Sequence, residues 1–157
     1  MNKRFLIVTM LAVLSVKAFA LTLTTDVTSF TLSFLTTDYN AATGAATITK
    51  TSGNTLGVNS FLLGWHVTAK AVTSTFGFTP SAGDANPNKP SSDLSIRQPG
   101  YTTTYTALTT TPFTLVTGNA TFLSTLYYPV DYKLNSNLAT DPPGTYTISI
   151  LFTLTAP

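Results

Sequence analysis

The sequence predicts an all-β protein: a single immunoglobulin-like antiparallel β-sandwich that follows a cleaved signal peptide. Three observations lead to this prediction. The chain is rich in Thr, Val, Ile, Phe and Tyr, which fit a pleated sheet, and poor in the Glu, Lys, Arg and Gln that cover helices. Apolar and polar residues alternate in several short runs. Turn residues separate these runs at the spacing typical of a two-sheet sandwich.

The first twenty residues have the layout of a secretory signal peptide. Lys3 and Arg4 form a basic start, and Ala18 and Ala20 form an A-x-A cleavage site. The apolar run between them, residues 5–16, is shorter than the roughly 20 residues that span a bilayer. We therefore expect cleavage after Ala20, a secreted or cell-surface product, and no membrane span in the mature chain. The alternative is an uncleaved N-terminal anchor.

The mature chain, residues 21–157, has the length of one domain. Cleavage removes three of the eight lysines and arginines, and six aspartates remain without any glutamate, so the mature net charge is near −1. No basic cluster is present that would attract a phosphate backbone, which excludes nucleic-acid binding. The sequence has no cysteine, which excludes disulfides, thiolate metal sites and cysteine nucleophiles.

The alternation slips by one residue near the mature N-terminus. In LTLTTDV the apolar residues Leu21, Leu23 and Val27 take odd positions, whereas in the following FTLSF they take even positions. A period-two pattern cannot slip by one without turning its side chains over. Residues 21–27 and 30–35 are therefore predicted to be two strands, or one strand with a bulge.

Six later stretches alternate as strands do: ATITK, FLLGWHVTAKAV, DLSIR, TTYTAL, FTLVT and FLSTLYYPVDYKLN. In the second, Trp65 and Val67 point one way and His66 the other. Residues 52–54 are predicted to be a turn, and residues 79–93, with three prolines, a long exposed loop. The proline of YYPVDY predicts a sheet edge or a bulge at that point.

The chain ends on a long alternating strand that begins after DPP. Its apolar residues share one face and Thr and Ser take the other; we interpret it as a C-terminal edge strand, with the inward set Tyr146, Ile148, Ile150, Phe152 and Leu154. The chain has few charged residues, so such an edge has few of the charged side chains with which proteins prevent an edge strand from pairing with another chain.

The sequence offers little for catalysis or cofactor binding. His66 is the only histidine, and no G-x-S-x-G elbow, phosphate loop or dinucleotide fingerprint is present. Most aspartates lie beside turn residues, where Asp caps or initiates turns. We therefore expect a non-enzymatic protein without cofactor or metal, with an aspartate-based hydrolase as a distant alternative.

Aromatic residues supply the candidate ligand site. A platform for stacking on a sugar ring could be formed by Trp65, Tyr101, Tyr105, Tyr127 and Tyr128. Tyr127 faces opposite Tyr128 and is the best exposed candidate, and Tyr101 is the second residue that we select. Trp65 alternates with Val67 and is expected to be a core residue of the sandwich.

The ending, PPGTYTISILFTLTAP, resembles the last strand of chaperone–usher pilins and of the related spore-coat-U-like surface proteins. The matching positions are Gly144, Tyr146, Ile148, Ile150, Phe152 and Leu154. The resemblance implies a sandwich that lacks one strand and whose groove is filled by the N-terminal extension of the next subunit. The chain departs from many pilins in having neither a disulfide nor a penultimate Tyr.

By that resemblance, Leu21, Leu23 and Val27 would be the plugs of a donated strand. Residues 21–29 would then be the donor strand, or alternatively the first strand of their own domain, and residues 30–157 the β-sandwich. The implied partners are other copies, joined by strand exchange, and a periplasmic chaperone. The implied function is that of a structural subunit of a fimbria, pilus or coat.

The sequence also resembles WxL cell-wall-binding domains, more weakly. GWHV at residues 64–67 is similar to the first motif of that family, and Phe152 stands where a second Trp motif is expected. This resemblance implies a stand-alone surface module that binds cell-wall polymer or glycan.

Overall fold

A computed structural model of the chain describes residues 21–25, 29–61, 63–122 and 124–157. The predicted signal peptide and Val27 of the candidate donor strand lie outside these ranges. The described residues form ten strands: β1 (Leu21–Thr25), β2 (Ser29–Phe34), β3 (Ala45–Ser60), β4 (Trp65–Ala71), β5 (Gly77–Pro80), β6 (Leu94–Arg97), β7 (Thr106–Ala107), β8 (Phe113–Gly118), β9 (Leu126–Asn137) and β10 (Gly144–Thr155). Two single 3₁₀ turns, Thr36–Asp38 and Ser91–Asp93, complete the regular structure.

The strands form two antiparallel sheets that pack face to face, so the predicted all-β sandwich is confirmed. The first sheet has the order β1-β3-β9-β6-β7, and the second has the order β2-β10-β4-β8, with β5 also paired to β10. The core between them includes the fully buried Leu56, Val58, Val130, Leu134, Val67 and Tyr146. None of the described segments is a helix that could cross a membrane.

The slip in alternation marks a change of sheet. β1 pairs with β3 in the first sheet, whereas β2 pairs with β10 in the second, and only three residues separate the two strands. Leu21 and Leu23 are half-buried against the core, while Phe30 and Phe34 are buried in the other sheet. The two-strand interpretation is confirmed, because β1 and β2 are separate strands that pair with different partners.

The predicted turn at residues 52–54 is wrong. β3 runs through it, with a bulge where the register to β9 shifts between Lys50 and Asn54. Ser52 has a positive φ of 48°, and its N–H donates to Oδ1 of Asp131 at 2.9 Å. Because a buried carboxylate accepts this amide, the strand passes the Ser-Gly-Asn sequence without leaving the sheet.

The alternation of β4 is as predicted, whereas that of β9 holds only in part: Val130, Tyr132 and Leu134 are buried, but Leu126 of the predicted inward set is exposed and Asp131 of the outward set is buried. Trp65 and Val67 are buried and His66 is half-buried. β9 is central, but β6 pairs with it only at residues 131–134. Pro129, opposite Thr55 of β3, therefore lies in a locally one-sided part of the strand, which confirms the predicted edge.

The loop at residues 79–93 is not wholly exposed, contrary to the prediction. Its first two residues belong to β5, and its end is held by backbone hydrogen bonds from Phe76 N–H to the Lys89 carbonyl and from Ser91 N–H to the Ser74 carbonyl. Lys89 is only 1% exposed. The prolines exclude this segment from the centre of a sheet, but not from the edge of the core.

Candidate functional site

Besides the outer strands of the two sheets, β10 has an open edge along its second half. Residues 144–149 of β10 pair with β2, and residues 144–147 also pair with β5 on the other side. From residue 150 to residue 155, β10 pairs with β4, and no second described strand pairs with it there. The predicted edge is thus confined to residues 150–155. Tyr146 does not lie at an edge, because β2 and β5 flank it, and Ile148 lies outside the open stretch, where it pairs with Phe30 of β2.

The backbone groups of this edge sit directly beside the core. Val72 N–H donates to the Ser149 carbonyl at 2.9 Å, so the polar groups of Ser149 face β4. Because these directions alternate along a strand, the N–H and C=O groups of Ile150, Phe152 and Leu154 face the side on which no described strand pairs with them. The same three side chains point inward, two of them buried and Leu154 half-buried. An added strand would therefore gain hydrogen bonds and apolar contacts together.

β1 also contacts β10. It pairs with β3 in the first sheet, with Leu23 opposite Val58. Leu21 and Leu23 are half-buried, whereas Thr22 and Thr24 are exposed. Leu21 and Leu23, the two candidate plugs that the structure describes, are therefore seated in a sheet of their own chain.

The two candidate ligand tyrosines do not come together. Tyr127 is 70% exposed on the outer face of β9, opposite Gly57, where an added Cβ would lie 3.4 Å from the tyrosine ring and 2.4 Å from Oγ1 of Thr24. Tyr101 is 53% exposed, and its hydroxyl lies 3.5 Å from that of Thr117 in the other sheet. Each would have to act alone.

Trp65 is confirmed as a core residue. It is 2% exposed, its Nε1–H donates to the Asn119 carbonyl at 2.7 Å, and its ring meets Tyr128 edge to face at 5.2 Å. The Nε2 atom of His66 lies 2.7 Å from Oγ1 of Thr155 across the β4–β10 pair, a contact between neighbouring strands. In the part of the chain that the structure describes, no three His, Asp or Glu side chains gather as metal ligands would.

A buried ion-pair cluster, which the sequence analysis missed, lies where the long loop meets the β9–β10 turn. Nζ of Lys89 lies 2.7 Å from Oδ2 of Asp93 and 2.6 Å from Oδ2 of Asp141. The Asp141 carboxylate also accepts the Ser136 hydroxyl and the Asn137 N–H, each at 3.1 Å. One fully buried ammonium thus faces two carboxylates, that of Asp141 nearly buried and that of Asp93 35% exposed.

Tyr39 and Tyr146 lie beside this cluster. The Tyr39 hydroxyl donates to the Asp141 carbonyl at 2.8 Å, and the Tyr146 hydroxyl donates to the Pro142 carbonyl at 2.7 Å. Desolvation by burial raises the pKa of both hydroxyls, so both remain donors at neutral pH. Nζ of Lys89 lies 6.0 Å from the centre of the Tyr146 ring. A cavity of about 200 Å³ opens beside Asp93 and Asp141.

The only sequence signal for this cluster was the four-residue spacing between Lys89 and Asp93, which on its own describes a common surface pair. Asp141 lies 52 positions away from Lys89, and only the fold brings it close. A separate ion pair, Arg97 with Asp131, joins β6 to β9 at 3.0 Å and is more exposed on its arginine side.

Neither a protein-family model nor a curated protein matches the chain. A sandwich fold alone hosts many unrelated functions, so the function of this chain depends on its particular surfaces and side chains. Three features of the described residues could serve a function: the open half of β10, the exposed Tyr127, and the buried cluster around Lys89.

Proposed function

We propose that the mature chain is a secreted, non-enzymatic structural subunit of a cell-surface fibre, such as a fimbria or pilus, or of a coat, and that it assembles by β-strand donation. The observation that carries the proposal is the one-sided pairing of β10 over residues 150–155. An open strand edge over an apolar core is an aggregation hazard for a protein that acts alone. For a subunit the same edge is a binding site, because a strand from a second copy can hydrogen-bond to its backbone groups and pack its apolar side chains against the core.

β1 is the strand that we propose is donated. Its five residues match the six-residue open stretch, and its alternating Leu21 and Leu23 suit insertion beside a core. β2 can stay in place when β1 leaves, because β2 is held by six residues of β10 in the other sheet. The partners are thus other copies of the chain, and a periplasmic chaperone would cover the edge before assembly.

The experiment compares residues 21–157 with a truncation, residues 29–157, that lacks β1. We expect the full mature form to assemble into denaturant-resistant ladders at high concentration, and the truncation to stay monomeric and bind the peptide LTLTTDV. A peptide with both leucines replaced by serine should bind far more weakly, since it lacks the plugs. If both forms are equally stable monomers that ignore the peptide, strand donation is wrong.

A disulfide lock tests whether β1 is the moving strand. Thr22 and Asn59 are register partners in the β1–β3 pair, at a separation that suits a disulfide, and the chain has no other cysteine. Oxidised Thr22→Cys/Asn59→Cys protein should stay monomeric, and reduction should restore assembly. The matched control, Ser33→Cys/Thr145→Cys, locks β2 to β10 and should assemble in both states. Ladders from the oxidised first variant would exclude β1 as the donor.

Tyr127 supports a second candidate, a stand-alone module that binds cell-wall polymer or glycan. Its ring is the most exposed of the described aromatics, and it stands on a flat sheet face beside the hydroxyl of Thr24. Aromatic faces flanked by hydroxyl groups suit sugar rings. Retention on immobilised glycans should fall on Tyr127→Ala but not on Tyr101→Ala; equal retention of both variants would reject this candidate.

A further inference from the structure

The contact between Lys89 and Asp141 joins the two groups that form an amide. Nζ lies 2.6 Å from Oδ2 of Asp141, at the short end of charge-assisted hydrogen bonds. The lysine side chain has no exposed surface, and that of Asp141 is 8% exposed. The two groups are therefore held in contact away from bulk water, an arrangement that gives intramolecular reactions very high effective concentrations.

We propose that Lys89 and Asp141 are joined by an amide bond between Nζ and Cγ, so that the folded chain carries an internal covalent cross-link. The reaction is a condensation in which the ammonium and the carboxylate give an amide and one water molecule. It needs no oxidant, reductant or cofactor. The proposal stands on the cluster alone and does not depend on strand donation.

The reaction begins with the transfer of one proton from the ammonium of Lys89 to the carboxylate of Asp141. Nζ already lies 2.6 Å from Oδ2 of that carboxylate, so the proton moves along an existing contact. The product of the transfer is a neutral amine, which is the nucleophile, facing a neutral carboxylic acid, which is the electrophile.

Asp93 is placed to move the protons. Its Oδ2 lies 2.7 Å from the same nitrogen, so it can take a proton from Nζ as the N–C bond forms. It then returns that proton to the departing oxygen of Asp141, which leaves as water when the tetrahedral intermediate collapses. Asp93 ends as it began. The cavity beside both aspartates gives the water a way out.

The groups that hold Asp141 also suit the intermediate. The Ser136 hydroxyl and the Asn137 N–H both donate to its carboxyl group, and they can donate equally to an oxyanion on Cγ. After reaction they would hold the amide carbonyl. The cross-link would tie the end of the long loop to the turn that precedes β10, in a chain that has no cysteine for a disulfide.

Intact-mass measurement of the purified, folded protein, residues 21–157, tests the proposal. We expect a mass lower than that of the sequence by one water molecule, and a branched tryptic peptide that contains both Lys89 and Asp141. Lys89→Arg and Asp141→Ala should show the full mass, while the control Lys133→Arg should lose water as the wild type does. Asp93→Asn should fold but lose water more slowly.

Two results would overturn the proposal. The first is a wild-type mass equal to that of the sequence after folding and long incubation, which would leave the contact as an ion pair only. The second is a loss of water that persists in Lys89→Arg, as dehydration at another aspartate would give. Neither result bears on the ladder experiment, so this proposal and strand donation can fail separately.

Discussion

Nζ of Lys89 lies 2.6 Å from Oδ2 of Asp141, although 52 positions separate the two residues. The contact fixes the β5–β6 loop to the turn between β9 and β10. Because β10 pairs with β2, β4 and β5, whatever holds its start also positions the second sheet. The cluster therefore supports the strand whose far half forms the open edge.

Removing Asp141 should destabilise the protein far more than removing Asp93. Asp141→Ala leaves Lys89 buried with a single partner and strands the Ser136 and Asn137 donors, which should cost about 3–5 kcal/mol of unfolding free energy. The Asp93 side chain is 35% exposed, so Asp93→Ala should cost about 1 kcal/mol or less. Urea unfolding at neutral pH measures both; equal losses would show that burial does not set the ranking.

The strands could be predicted from the sequence because alternation reports burial directly. β4 and β10 each have one apolar face, and a period of two has no other common cause. The slip in the apolar–polar alternation after Val27 indicated that the side chains change phase. That this change accompanies a change of sheet depends on where β3 and β10 lie, which the sequence alone does not show. The bulge at Ser52 could not be predicted, because Ser-Gly-Asn reads as a turn unless the acceptor Asp131 is known.

The candidate site was only partly predictable, because its features depend on partners that are distant in the sequence. The sequence indicated β10 as an edge strand, but which half is open depends on the reach of β2 and β5. Burial of Lys89 ran against the ordinary preference of lysine for solvent. No local sequence pattern predicts that Lys89 is buried, because its carboxylate partner, Asp141, lies in a turn that is distant in the sequence.

Gly118→Ala should destabilise the core, because Gly118 leaves room for Trp65. A Cβ at residue 118 would lie 2.2 Å from Cζ2 of the buried indole, so ring or backbone must move, at about 1–3 kcal/mol. The control is Gly77→Ala, whose Cβ would meet only a backbone oxygen at 3.6 Å and should change stability by less than about 0.5 kcal/mol. Tryptophan fluorescence during urea unfolding gives both values, and equal midpoints would contradict the close packing.

Stability should fall in alkaline solution because of buried tyrosines. Desolvation raises the pKa of Tyr132 above its ordinary value of 10.0, so folding favours the neutral phenol. Its contribution is fully present below pH 10 and is lost as the pH rises above 10, because only the unfolded chain then releases the proton, at about 1.4 kcal/mol per pH unit. Tyr132→Phe should flatten this slope in urea unfolding; an unchanged slope in Tyr132→Phe would reject the assignment.

Amide hydrogen exchange along β10 should alternate in the monomer. The N–H groups of Leu151 and Thr153 face β4 and should be protected, while those of Phe152 and Leu154 face the open side and should exchange quickly. Assembly by strand donation onto this edge should slow Phe152 and Leu154 by about tenfold or more, since each gains a hydrogen bond. The protected pair serves as the internal control. If Phe152 and Leu154 stay fast in assembled material, the donated strand binds elsewhere, and an exchange of β1 between neighbouring β3 edges becomes the alternative to test with the Thr22–Asn59 lock.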